Sequence, residues 1–287
     1  MESLALPYLF LSVKTNHYHV NYPKIMRKFY CILMTLIFSI GYSNAQLPYL
    51  KEPTFKVGEV LSYKLKYGFI TAASGVLSVK EPDIELSNKN IFHLNVFGQT
   101  SSSYSIFYTV KNKYDSYISK STYLPYLYIE DIKENNYRRK EYAIFDQKKQ
   151  SVQGAKGTFK GNSSQLFDLV SAYYFSRNLD LSALKIGDSF KLPYFLNDEI
   201  AELKIYYAGT EKIKTALGTL DCIKFNPEIK PGRIFKKDSK LYLWVTNDGN
   251  RIPVKAKVEI LIGSVTMEIT KAEGLKYELG KKVSYSK

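Results

Sequence analysis

The chain has 287 residues, of which 45% are hydrophobic and 24% are charged, and its formal net charge is +14 at pH 7. Two cysteines and three histidines are too few for the clustered ligands of a zinc site, and no G-x-x-x-x-G-K-S/T motif supports a P-loop nucleotide hydrolase. No metal or other cofactor is therefore predicted.

A signal for export begins at Met26, where the chain reads MRKFYCILMTLIFSIGYSNAQ. Two basic residues precede an apolar run over 31–40, and small residues lead up to Ala45, which is the pattern of a cleaved signal peptide. An apolar run of about ten residues is too short to span a membrane, since a spanning helix needs about 20. We therefore predict a signal peptide over 26–45, and we interpret 1–25 as a mis-called N-terminal extension. The alternative interpretation of the apolar run is a buried core helix.

The mature protein is predicted to reach the periplasm or cell envelope, or to be secreted. No cysteine lies near the predicted cleavage point at Ala45, so a lipoprotein is not expected. We predict one domain over 46–280 and a frayed, solvated tail over 281–287.

The composition of the mature chain limits its chemistry and its partners. Removal of 1–45 takes away four basic residues and one acidic residue, which leaves a net charge of +11. Cys222 is then the one remaining cysteine, so no internal disulfide is expected. A basic exported chain is expected to meet polysaccharide or lipid surfaces rather than nucleic acid. Lysines scattered over a solvated surface explain the same charge.

The dominant periodicity after residue 55 is two, which is typical of half-buried strands. In VLSYKLKYG, Leu61, Tyr63, Leu65 and Tyr67 alternate with polar residues. Comparable runs follow at 75–79, 90–98, 104–118, 122–132, 137–146, 200–208 and 219–226. Several are separated by turn formers such as Asn88–Asn90. Short strands at this spacing predict an all-β fold, an antiparallel barrel-like, open-barrel or sandwich sheet.

One segment has helical periodicity. In NSSQLFDLVSAYYFSRN, Leu166, Leu169, Val170, Tyr173 and Arg177 recur at helical spacing. Three polar residues at 162–164 offer N-caps. We predict an amphipathic helix over about 164–178, packed against the sheet or closing one of its ends. The glycine-spaced run at 154–161 is interpreted as a hairpin turn rather than a phosphate loop.

The segment 241–269 predicts a three-stranded meander that contains the only tryptophan, Trp244. Its first connection, Asn247–Arg251, has the Asn, Asp and Gly residues that tight hairpins require. Turn chemistry is thus a sufficient cause for this polar cluster. The functional alternative is that Asp248 and Arg251 pair, with Trp244 offering a face for a sugar.

Four groups of residues carry a family resemblance. They are Phe55, Val57, Gly58, Glu59, Leu61, Tyr63 and Gly75; Asp168, Ser171, Ala172, Tyr173 and Arg177; Gly218, Cys222 and Pro227; and Trp244, Thr246, Asp248, Pro253, Val254, Gly263, Ser264 and Val265. Together they resemble the exported bacterial proteins grouped as domain of unknown function 3108, over about 55–272. The resemblance implies a barrel-like exported domain of the cell envelope. It implies no established activity, so no catalytic residues are carried over.

Acid–base chemistry has few candidates in this sequence. After signal removal His93 is the one histidine, and its place in the strand-like run IFHLNVF favours a structural role. Glu59, Asp115, Asp168 and Asp248 are candidate carboxylates for glycoside hydrolysis, but nothing in the sequence brings two of them together. Glu59 begins a strand, where a simple pair with a lysine is expected. We predict no catalytic residue.

Tyrosine is abundant, and Tyr123, Tyr126 and Tyr128 lie close together in STYLPYLYIEDI. Tyrosine can line a wet cavity, so these residues with Trp244 are candidates for binding a glycan or an acyl chain. A tyrosine-rich β protein without a cavity is the structural alternative.

Three functional hypotheses remain. The first is a non-enzymatic exported β domain that binds an envelope glycan, lipid or protein, with Glu59, Asp168, Asp248 and Arg251 as further polar candidates. The second is a structural or assembly partner without a ligand pocket. The third is a carboxylate-dependent hydrolase. The oligomeric state is left open.

Overall fold

The computed structural model describes residues 46–86, 90–228, 239–260 and 263–285. The predicted extension over 1–25, the predicted signal peptide over 26–45 and most of the predicted turn at 88–90 lie outside the described residues.

The described residues contain fourteen strands and one α-helix, α1 (Leu169–Arg177), which lies between β8 and β9. The strands are β1 (Val60–Tyr67), β2 (Ile70–Lys80), β3 (Ile91–Thr100), β4 (Lys111–Ser119), β5 (Pro125–Glu134), β6 (Tyr137–Asp146), β7 (Ser151–Gly154), β8 (Gly157–Lys160), β9 (Ser189–Leu196), β10 (Glu199–Thr215), β11 (Gly218–Pro227), β12 (Leu241–Thr246), β13 (Pro253–Glu259) and β14 (Ser264–Glu273).

All fourteen strands belong to one antiparallel sheet. Strands β1 to β8 follow one another outward to one edge, β14 to β9 run outward to the other, and β1 pairs with β14 in the middle. Because β8 and β9 remain edge strands, the sheet is an open barrel and not a closed one. The predicted all-β antiparallel fold with one helix is confirmed.

The larger core lies between the sheet and α1. Phe167 and Phe175 are fully buried, and their rings lie 4.7 Å apart. An isolated parallel bridge joins Phe167 to Tyr194 of β9, so the segment before the helix is tied to the edge strand. The helix is therefore held between the sheet and its β9 edge, where its two ends position polar groups.

The helix begins later than predicted. The sequence places its start near 164, but α1 begins at Leu169 because Asp168 is the N-cap and its carboxylate accepts hydrogen bonds from Val170 N and Ser171 N. Leu166 precedes the helix and is still fully buried. Within the described part of the chain, no helix has the length and apolar character needed to cross a membrane.

The strand predicted over 104–118 begins only at Lys111. Residues 102–107 instead form turns, in which Ser105 N donates to Ser101 O at 2.9 Å and Tyr108 N donates to Tyr104 O at 3.2 Å. The sequence pattern failed here because these local hydrogen bonds replace pairing with a neighbouring strand.

Candidate functional site

The β12–β13 connection is an ordered polar turn built around Asp248. One carboxylate oxygen, Oδ1, accepts hydrogen bonds from Thr246 Oγ1 at 2.6 Å and from the backbone N–H groups of Asn250 and Arg251 at 3.0 Å. The other, Oδ2, accepts from Gly280 N at 2.8 Å. Turn chemistry therefore accounts for Asp248, which also fixes the C-terminal segment against the turn.

A buried ion pair between Glu59 and Arg177 contacts this turn. Arg177, in the last turn of α1, donates from Nη1 to Glu59 Oε1 at 2.6 Å and from Nη2 to Glu59 Oε2 at 2.8 Å. Its Nε and Nη2 also donate to the carbonyl oxygen of Asn250, at 3.1 and 2.9 Å. Both charged side chains are almost completely buried. The prediction that Glu59 pairs with a lysine is therefore wrong, since its partner is Arg177 from the helix.

Aromatic rings enclose the guanidinium group of Arg177. Its central carbon lies 5.4 Å from the ring centroid of Phe55 and 5.3 Å from that of Tyr174. Burial alone would lower the pKa of Arg177, but the Glu59 carboxylate outweighs it and the pKa is raised above its ordinary value. Arg177 therefore stays positively charged at physiological pH.

Arg251 connects this network to a cavity. Its Nη1 donates to the backbone carbonyl oxygens of Arg177 and Leu179, and its guanidinium carbon lies 4.7 Å from the ring centroid of Tyr285. Burial lowers the pKa of Arg251, and Tyr285 and Asp180 partly oppose that effect. The tail was expected to be solvated, yet Tyr285 Oη donates to Gly249 O at 2.9 Å.

The cavity beside Arg251 has a volume of about 360 Å³, and we call it the Arg251 cavity. Fourteen apolar, aromatic and polar side chains line it. They are Leu50, Leu181, Leu184, Tyr207, Ile223 and Val283, and Asp180, Ser182, Thr210, Asn247, Asp248, Arg251, Lys282 and Tyr285. Two of the residues that the sequence suggested, Asp248 and Arg251, are therefore brought together at one cavity, above a third, Glu59.

Asp168 lies at the opposite end of α1. Its oxygens accept four hydrogen bonds, two from the backbone of Val170 and Ser171 and two from the hydroxyls of Ser116 and Ser171. Burial raises its pKa, and these hydrogen bonds act against that rise. A helix of nine residues is about 13 Å long, so Asp168 does not share a site with the Arg251 cavity.

Two of the three candidate tyrosines, Tyr123 and Tyr128, belong to the larger core. Tyr123 is fully buried and donates to Lys51 O at 2.8 Å, and Tyr128 donates to Glu130 Oε2 at 3.2 Å. Burial is the main cause that raises the pKa of both hydroxyls. Tyr126 is half-buried. None of the three lines the Arg251 cavity, and their role in binding stays a prediction.

Trp244 is also mostly buried, and its indole N–H donates to Glu211 Oε2 at 3.0 Å. The ammonium groups of Lys224 and Lys255 lie 5.3 and 5.7 Å from its ring centroid. The hydrogen bond from Trp244 and the charge of Lys224 lower the pKa of Glu211. The indole is thus engaged by protein groups, and its use as a sugar face stays a prediction.

A second buried polar cluster was not predicted, although its members were considered singly. His93 Nε2 lies 2.7 Å from Asp115 Oδ1, and its ring stacks on Tyr117 with centroids 4.5 Å apart. His93 Nδ1 lies 3.4 Å from Asp83 Oδ1 but makes no hydrogen bond. The signal that could have found this cluster is the register of β3 and β4, which pairs Asn95 with Asp115.

Asp115 is held strongly in its charged form. Burial would raise its pKa, but hydrogen bonds from His93, Lys113 and Asn95 outweigh it and lower the pKa to about 2. Lys113 and Asn95 also line a shallow cleft of about 730 Å³ over the start of β1, the second half of β2 and the middle of β3. The cluster therefore holds the polar side chains of Asn95 and Lys113 in place at one side of this cleft.

Comparison with solved structures shows the fold. A β-barrel-like protein of domain of unknown function 1849 from Brucella abortus matches with a TM-score of 0.51 and 9% identity, covering 81% of this chain and 100% of that one. A candidate exported protein with a YmcC-like fold from Bacteroides fragilis matches with a TM-score of 0.35 and 11% identity, covering 78% and 99%. No curated protein matches the chain.

One family model matches residues 62–270, from β1 to β14, and so includes α1 and the β12–β13 turn, which lines part of the cavity. This is the family suggested by the sequence motifs around Glu59, Arg177 and Asp248. The chain belongs to the DUF3108 family, described as proteins of unknown function.

Proposed function

We propose that this protein is an exported, non-enzymatic β domain of the bacterial cell envelope that binds an envelope component, and that the Arg251 cavity is its binding site. Among glycan, lipid and protein ligands, the chemistry of this cavity favours a glycan fragment. The observation that carries the proposal is the combination of a cavity volume of about 360 Å³ with a mixed polar and aromatic lining. Binding sites for small molecules typically have volumes of about 300–1,000 Å³.

The balance of charges favours a neutral polar ligand. Arg251 and Lys282 contribute two positive charges, and Asp180 and Asp248 contribute two negative ones. Sugars present hydroxyl groups that donate and accept hydrogen bonds, and their ring carbons pack on aromatic side chains such as Tyr207. An acyl chain has no groups that could hydrogen-bond to the polar side of the cavity.

Asp248 and the Glu59–Arg177 pair are already bound by protein groups, which supports a non-enzymatic role. The Asp248 carboxylate accepts four hydrogen bonds, which is about its full capacity. Glu59 and Arg177 neutralise each other below the cavity. Neither carboxylate has the freedom to act as a nucleophile or to transfer a proton.

The alternative is a structural or assembly partner without a ligand site. The filled core favours it, because Tyr123 and Tyr128 are buried in that core. The cavity that Tyr128 lines has a volume of only about 20 Å³. The two functions differ in one observable, namely whether blocking the Arg251 cavity changes the binding of a small ligand.

Ser182→Trp is expected to weaken glycan binding by about tenfold or more, because an indole at this exposed rim position would fill the cavity. The backbone N–H of Ser182, which donates to Asp180, is unaffected by the change. Native mass spectrometry of protein purified from its own envelope would show a co-purifying glycan. Titration with the peptidoglycan disaccharide would then measure the affinity of both proteins.

Ile186→Trp is the matched control. Ile186 is 75% exposed, lies four positions further along the same segment and does not line the cavity. It should keep the disaccharide affinity of the wild type. Equal affinity in the Ser182→Trp protein would exclude this cavity as the site, and a bare protein mass without disaccharide binding would favour the assembly function.

A further inference from the structure

Three neighbouring hairpins end in exposed apolar side chains. Phe69 at the β1–β2 turn is 96% exposed, and Ile106 and Phe107 in the β3–β4 connection are 83% and 79% exposed. Ile70, Tyr108 and Tyr137 beside them are also exposed. We call these six residues the tip patch. Single exposed apolar residues are ordinary, but a group on adjacent hairpins marks an interaction surface.

The three hairpin ends are held side by side. In an antiparallel meander, the β1–β2, β3–β4 and β5–β6 connections lie at the same end of the sheet. Ser101 donates from its backbone N–H to Ala72 O and from its hydroxyl to Thr71 O, at 2.9 and 2.8 Å. On the other side, Thr109 N donates to Asn135 Oδ1 at 2.8 Å. The tip patch is therefore one continuous surface.

The charges around the tip patch are mainly positive. Residues 68–79 and 100–110 contain no charged side chain, and Lys111 and Arg138 stand on the strands directly behind them. Lys66 lies there too, but it pairs with Glu268 at 2.7 Å. Arg138 Nη1 donates to the backbone carbonyl oxygens of Asn135 and Tyr137. The nearby acidic group, Glu134, accepts hydrogen bonds from Asn112 and Tyr108. An anionic partner is thus complementary to this end of the molecule.

We infer that the tip patch docks the protein onto an anionic lipid surface. Phenylalanine and isoleucine at the tips insert among the acyl chains, tyrosine hydroxyls lie at the level of the headgroups, and the basic side chains behind them meet lipid phosphates. The tip patch and the β12–β13 turn lie at opposite ends of the strands. A docked molecule would therefore keep the Arg251 cavity turned away from the bilayer.

The test compares vesicle binding of the exported protein and a Phe69→Ser/Phe107→Ser variant. Vesicles of phosphatidylglycerol mixed with phosphatidylcholine should bind the wild type, and vesicles of phosphatidylcholine alone should bind it less. Losing two inserted phenyl rings should weaken binding to the anionic vesicles by about tenfold or more. Lys111→Gln/Arg138→Gln should weaken binding to anionic vesicles by about tenfold and leave binding to neutral ones unchanged.

Ile186→Ser is the matched control, because it removes an equally exposed apolar side chain far from the tips and should leave vesicle binding unchanged. Equal binding to both vesicle types, or wild-type binding by the phenylalanine variant, would overturn the inference. A change of oligomeric state in that variant without vesicles would assign the surface to a second copy instead. The disaccharide titration of the same variant keeps the two proposals separate, since loss of docking should not change glycan affinity.

Discussion

Arg177→Met is expected to lower the free energy of unfolding by about 3–5 kcal/mol, because it leaves the Glu59 carboxylate buried without its partner. Glu59 is completely buried, and both of its oxygens are bound by the guanidinium group. The substitution also removes the two donors to Asn250 O, which hold the β12–β13 turn against the helix. Denaturant unfolding followed by circular dichroism measures the change.

A double variant distinguishes the cost of burying an unpaired charge from the net contribution of the ion pair to the free energy of unfolding. Glu59→Leu/Arg177→Met removes both charges, and it should be more stable than either single variant. Lys191→Met breaks the exposed Lys191–Glu202 pair and should change stability by less than about 1 kcal/mol. If Arg177→Met lowered the free energy of unfolding as little as Lys191→Met, the buried pair would not stabilise the turn and its cavity.

Asp115→Asn is expected to lose about 2 kcal/mol of stability near neutral pH and almost nothing at pH 2. The pKa of Asp115 is lowered from 3.8 to about 2, so its carboxylate stabilises the folded state above about pH 4. That contribution decreases as the pH falls from about 4 towards the folded-state pKa, because the unfolded chain takes up the proton first. Below the folded-state pKa both states are protonated and the contribution is gone. Unfolding free energies of both proteins between pH 6 and pH 2 measure this difference.

The matched control for that experiment is Asp131→Asn on β5. Asp131 pairs with Lys133 at the surface, with side chains 33% and 47% exposed, and should contribute less than about 1 kcal/mol at either pH. A stability difference between wild type and Asp115→Asn that stayed constant from pH 6 to pH 2 would contradict the assigned hydrogen bonds from His93 and Asn95.

The sequence was sufficient for the features that depend on local pattern. Alternation in VLSYKLKYG identified β1, and the Asn247–Arg251 turn was recognised from its residue types. The family was reached from spaced motifs around Trp244 and Glu59. These features could be predicted because each depends on residues within a few positions of one another.

The contacts that build the candidate site are long-range, and local pattern does not specify them. Glu59 and Arg177 lie 118 positions apart, and Arg177 meets Asn250 across 73. A strand pattern predicts which face a side chain occupies, but it does not say which distant residue it meets there. Tyr123 shows a related limit, since a tyrosine in a core and a tyrosine in a cavity follow the same alternation.

The pairing of β1 with β14 has a consequence for how the chain folds. Of the described strands, β1 is the first and β14 the last, and β1 lies between β2 and β14 in the sheet. Leu61 is opposite Ala272 and Tyr63 is opposite Ile269. Contacts of such high sequence separation make folding slow, since the chain must close its longest loop before the sheet is complete. Under the proposed export, a chain crossing the membrane from its N-terminus could not complete its sheet until its C-terminal strand had emerged. Slow closure would keep the polypeptide competent for translocation until the whole of it has crossed.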